Sequence, residues 1–136
     1  YVAILHEQNS DLRIIPINPV GTTGHVPDDI RHWQGDSRGH WDGDTFVVEV
    51  TNFNGKWTLA GAGRNVRYVE RFWVGDTDTL EYEFTAYDDE SFAGPWTVAF
   101  SIARATGPLF ENACHEGNHS MPLILNGARV QERISP

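Results

Sequence analysis

Apolar and polar residues alternate with a period of two along much of the chain, which is the signature of strands with one buried face. The pattern is clearest in two runs that face each other across Gly75-Asp76-Thr77-Asp78. In the first, Val66, Tyr68, Phe72 and Val74 share a face with Glu70 among them. In the second, Leu80, Tyr82, Phe84 and Ala86 alternate with Glu81, Glu83, Thr85 and Tyr87. A third run puts Trp96, Val98, Phe100 and Ile102 on one face. These runs predict an antiparallel meander with Tyr82, Phe84, Val98 and Phe100 buried.

Other segments extend the pattern. Tyr1 to His6 and Leu12 to Ile17 read as strands on either side of an Asn9-Ser10-Asp11 turn, so 1–17 is a plausible hairpin. Pro19 to Gly24 is loop, and Pro27 to Trp33 suits one or two helical turns, with proline first and acids at the positive end of the dipole. Asp42-Gly43 predicts a tight hairpin, whose second strand continues to Phe53. Gly55 to Gly63 is a glycine-rich connection. Leu109 to His115 reads as a further strand. Ser120 suits the cap of a short helix, with Pro122 inside it and Gly127 just past its end.

The sum is about eight strands with one or two short helices, an all-β chain. Sequential hairpins favour a small antiparallel up-and-down barrel of lipocalin type, which also removes exposed sheet edges. A length of 136 residues suits one domain spanning 1–136.

The formal net charge of -9 argues against nucleic acid or an anionic membrane as partner. The stretch 72–103 holds seven acids and no base, which reads as a solvated face. The one cysteine, Cys114, excludes an internal disulfide and suits a buried thiol. The first residue is Tyr1 and already reads as strand, which suits a processed chain, a trimmed fragment or part of a longer polypeptide.

The string from Gly35-Asp36-Ser37 through Trp41, Gly43-Asp44-Thr45 and Thr51-Asn52-Phe53 has a distinctive order. It is followed by Glu70-Arg71-Phe72, Pro95-Trp96-Thr97 and Ala113-Cys114-His115-Glu116-Gly117-Asn118. Over about 25–130 this resembles a family of uncharacterised, mostly exported bacterial β proteins, usually longer than this chain. The resemblance implies a secreted or periplasmic location and a lipocalin-like barrel. It implies no catalytic residue.

Glu70 is the carboxylate of most interest, because the alternation points it inward. A buried glutamate must be paired or protonated, the environment of a general acid or base and equally of a structural ion pair. Arg38 and Arg67 are the expected partners. His40 or His115 would be the second catalytic group. His115 and His119 lie four apart, but Gly117-Asn118 interrupts any helix, so ordinary polar histidines are the better reading. A metal site would need further ligands such as His6 and His40, and no cofactor is expected. Trp33 and Trp57 in connections, with Tyr68 and Tyr82 facing inward, are candidates to line a ligand mouth, against plain core packing. No phosphate loop, nucleophile elbow or dinucleotide fingerprint is present.

Three functions follow. The first is a barrel module that binds a small apolar or carbohydrate-like molecule or serves a structural role. The second is an acid–base enzyme (a lyase, isomerase or hydrolase) using Glu70 and a histidine. The third is a self-assembling homo-oligomer that donates residues 1–7 to a neighbour's sheet.

Overall fold

A computed structural model of the chain describes residues 1–7, 11–18, 24–56, 61–108, 110 and 118–134. The elements are β1 (Val2–Leu5), β2 (Leu12–Ile15), β3 (Asp36–Asp42), β4 (Thr45–Thr51), β5 (Arg67–Asp76), β6 (Thr79–Tyr87), β7 (Trp96–Ala103) and α1 (Ser120–Ile134). The chain falls into two compact units, residues 1–5 with 12–108 and residues 6–11 with 109–136.

The first unit is two antiparallel sheets. β1 pairs with β2 from Val2↔Ile15 to Leu5↔Leu12, so the first strand finds its partner within its own chain. The second sheet is a meander in the order β3-β4-β5-β6-β7. The β3–β4 turn is Gly43-Asp44, between the paired Asp42 and Thr45. Gly43 has φ +59, the sign that the first central position of a primed hairpin turn requires. In the β5–β6 hairpin the register shifts between Val74 and Asp76, and the Asp78 amide donates to the Asp76 carboxylate across the turn.

The register fixes two faces. Gly39, Val48, Glu70, Phe84 and Val98 stand in one row across the five strands. His40, Val47, Arg71, Glu83 and Ala99 form the next row, on the opposite face. The first face carries the core: Phe46, Val48, Val50, Tyr68, Phe84 and Ala86 pack with Ile15 of β2. Val2 and Ile4 of β1 pack against the same cluster, so the hairpin covers this face. Gly39 is where the cover comes closest, since a Cβ there would meet the Phe46 ring and Ile15.

Several expectations change. Among the described residues there are seven strands, and β7 has β6 as its one strand neighbour, so no pairing closes the sheet into a barrel. The predicted strand Leu109–His115 lies, but for Phe110, outside the described residues. Phe84 is buried and Tyr82 partly so, but Val98 is 37% and Phe100 49% exposed. Both stand on the core face, yet an outer strand is flanked on one side alone, and of its apolar row Val98, Phe100 and Ile102 stay exposed. Residues 27–33 make no helix; the Ile30 amide closes a single turn on the Pro27 carbonyl.

In the second unit, α1 is capped by Asn118, whose side-chain oxygen accepts from the Ser120 amide, rather than by Ser120. The helix continues through Gly127, where it was expected to stop, and reaches Ile134.

Candidate functional site

Glu70 is 7% exposed on the covered face, as its place in the alternation predicts. Its Oε2 lies 2.9 Å from Nη1 of Arg13, and its Oε1 accepts a 2.8 Å hydrogen bond from the Tyr82 hydroxyl. Arg13 stands on β2 in the covering hairpin, so the ion pair bridges the two sheets. The partners expected from the sequence are engaged elsewhere. Arg38 bonds Asp36 at 3.0 Å, while Arg67 pairs with Glu49 and lies 4.0 Å above the Tyr87 ring. Burial pushes the Tyr82 phenol well above its ordinary value of 10, and the charge and hydrogen bond of Glu70 push it further, against a small opposing effect of Arg13. Tyr82 therefore holds its proton and donates it to Glu70.

The Arg13–Glu70 contact is close but poorly aligned. Among the described residues, Glu70 Oε2 accepts no hydrogen bond of good geometry, and Arg13 Nε is buried without a hydrogen-bond partner. Buried donors are nearly always satisfied, so an orphan calls for a physical cause.

Arg13 also lines a cleft of about 390 Å³ between β2 and β3. The two segments touch beside it, where the Gly39 amide donates to Pro16 and the Asn18 amide to Gly39. Its polar lining is Arg13, His32, Gln34, Asp36, Ser37 and Arg38. Leu12, Ile14 and Pro16 supply the apolar wall. Ser37 is 6% exposed, and its Oγ is a second orphan, with no hydrogen-bond partner among the described residues.

Asp36 anchors one wall of the cleft. One carboxylate oxygen takes the His25 ring at 2.8 Å, the Val26 amide at 3.2 Å and Arg38 Nε at 3.0 Å. Burial raises its pKa, but the bonds from His25, Val26 and Arg38 outweigh it and hold the carboxyl below its ordinary 3.8. Asp36 thus stays charged and fixes Arg38 in place.

A second hollow of about 610 Å³ lies among Arg31, Asn52, Asn65 and Asp88. Its main groups are spent on the fold. Asn52 sits at φ +58, and its amide donates to the carbonyls of Val26, Pro27 and Ile30. Arg31 donates to the carbonyls of Asp28, Phe53 and Arg64, and Asp88 accepts from the Gly63 amide. The cleft beside Arg13 instead sets polar side chains beside the exposed Leu12 and Ile14.

The other predicted site residues scatter. His40 is on the face opposite Glu70, so the two cannot share a substrate. His115 and Trp57 lie outside the described residues. His119 precedes α1, and among the described residues no three His, Cys, Asp or Glu side chains gather as metal ligands. His6 donates its backbone amide to the Asp11 carbonyl. Trp33 is 59% exposed, with the Lys56 ammonium 5.6 Å from its ring centre. Tyr68 is a core residue, edge-on to Phe53 and Phe84. Tyr82 is the aromatic candidate whose hydroxyl bonds Glu70. Sequence reasoning missed Arg13, Ser37 and Asn52. An asparagine closing a strand was a usable signal for Asn52, because Asn tolerates positive φ; Ser37 stood in the Gly35-Asp36-Ser37 string without a sign of its role, and Arg13 left no signal.

No family model, curated protein or solved structure matches the chain.

Proposed function

We propose that this protein is a small-ligand-binding module whose site is the cleft between β2 and β3. The observation that carries this reading is the make-up of the cleft: Arg13, Gln34, Asp36, Ser37 and Arg38 stand beside Leu12 and Ile14, which are 55% and 57% exposed. The apolar wall of Leu12, Ile14 and Pro16 suits the mixed surface of most small ligands. The family resemblance adds export and a closed lipocalin-like barrel to the proposal.

Binding is favoured over acid–base catalysis because both oxygens of Glu70 face protein partners, Arg13 and Tyr82. Of its two proposed histidine partners, His40 is on the other face. Assembly through residues 1–7 is the weaker alternative, since β1 is already laddered to β2 over Val2–Leu5. A small-molecule screen by amide and guanidinium NMR tests the proposal. Ligand-induced shifts should cluster at 12–16 and 34–38 and include the Arg13 Nε resonance. Shifts that avoid those segments would refute the assignment.

A further inference from the structure

We infer that β7 is a docking edge for a second copy of this chain, the two β7 strands pairing antiparallel about a two-fold axis; the contact does not involve the cleft. Among the described residues β7 is bonded to β6 alone, and every residue from Thr97 to Ala103 is exposed. A free edge offers a row of main-chain donors and acceptors to another strand, and proteins ordinarily guard it with charges, a proline or a bulge. β7 has none of these along its eight residues, and its register with β6 runs unbroken from Thr79↔Ala103 to Ala86↔Trp96. The strand is also held in shape from the other side. Thr97 bonds Thr85, Ser101 donates to Glu81, and Phe100 and Trp96 stand edge-on to Tyr82 and Phe84. Little ordering is left for a partner to impose. The opposite edge of the sheet differs, because the 16–18 segment bonds β3 at Gly39, and β3 carries Asp36, Arg38 and Asp42.

Charge and symmetry choose the occupant. β7 is the one strand of the five-stranded sheet without a charged side chain. An acidic strand would be repelled by a chain at -9, and a basic one would find no carboxylate on β7 to pair with. A second β7 brings no charge to the seam and lays Val98, Phe100 and Ile102 beside an identical apolar row. Strand β1 is also uncharged, but at four residues it would pair with half of β7. Opposed residues of an antiparallel pair share a face, so the two-fold axis passes where a residue meets its own copy. Centred on Ala99 or on Phe100, it keeps both apolar rows on one face and sets Phe100 opposite or diagonal to its counterpart. An edge of eight residues is a small interface, so the dimer belongs to the weak, concentration-dependent class.

The test is sedimentation of the full chain over a wide range of concentration, at about 20 and about 500 mM NaCl, with hydrogen exchange on the same samples. The expected result is a monomer–dimer equilibrium that tightens with salt, since the seam is apolar and the two copies repel through their net charge. Amide exchange over 96–103 should slow as the dimer forms. Phe100→Lys and Phe100→Glu should each dimerise about tenfold more weakly or worse, because like charges meet across the axis. An equal mixture of the two should recover the association. A chain that is monomeric at every concentration overturns the proposal, as does growth past the dimer or a mixture no better than either variant. Exchange over 96–103 that does not change with concentration would do the same, whether a dimer forms elsewhere or the edge is occupied within its own chain. Should the two variants not fold, the exchange of the parent protein decides alone.

Discussion

Glu70→Ala would leave the Arg13 guanidinium buried opposite no carboxylate. Breaking a buried pair in this way costs about 3–5 kcal/mol, and replacing both members by apolar residues recovers most of it. Urea unfolding should therefore show a large loss for Glu70→Ala and a much smaller one for Arg13→Met with Glu70→Leu. A loss below about 1 kcal/mol for Glu70→Ala, typical of an exposed pair, would contradict the pairing. Tyr82 gives a pH signature. Its folded pKa is raised above the ordinary 10, so above pH 10 the unfolded chain loses the proton that the folded chain keeps. Stability should fall as pH rises past 10, and Tyr82→Phe should remove that part of the fall. Equal alkaline slopes for the two proteins would refute it. The inward direction of Glu70 is legible in the alternation of 66–74, because a strand's faces are set by local periodicity. Its partner is not, since Arg13 reaches it from another sheet and contacts between sheets leave no local trace. The same reason hides the separation of Glu70 from His40, which depends on two successive strand registers.

At the scale of elements, the hairpins are the most legible part of the molecule. Gly43 marks the β3–β4 turn and the acidic Gly75–Asp78 stretch marks β5–β6, because turns are encoded by neighbouring residues. Burial along a strand is less legible. Phe84 and Phe100 have the same kind of pattern, but β6 lies between two strands while β7 is an outer one. The helix end was misjudged at Gly127 because glycine is as acceptable past a helix as it is tolerated within one. Gly127 sits inside α1, and nothing lies within 4 Å of where its Cβ would be. Gly127→Ala should therefore raise stability or helix content, worth about 0.5–1 kcal/mol, as read by circular dichroism. Gly39→Ala has the opposite sign, because its Cβ would press into the Phe46 ring beneath the covering hairpin. A loss of about 1–3 kcal/mol is expected by thermal unfolding, and an unchanged midpoint would show that the hairpin does not press on β3 there.

At the scale of the whole molecule, Arg13 joins the architecture to the candidate site. The β1–β2 hairpin covers the core face of the meander and carries Arg13 to Glu70, and the same residue lines the cleft with Ser37. Several described motif residues serve this architecture: Asp36 and Asn52 tie the 25–32 loop, Gly39 admits the hairpin, and Trp96 packs on Phe84. Two others reach the candidate site, where Glu70 pairs with Arg13 and Ser37 lines the cleft. The cleft was not legible because its two walls come from segments that meet only in the folded chain. The most direct test is the map of ligand-induced NMR shifts on the full chain. Binding at the cleft predicts shifts that cluster at 12–16 and 34–38. Shifts that avoid both segments at saturating ligand would contradict it.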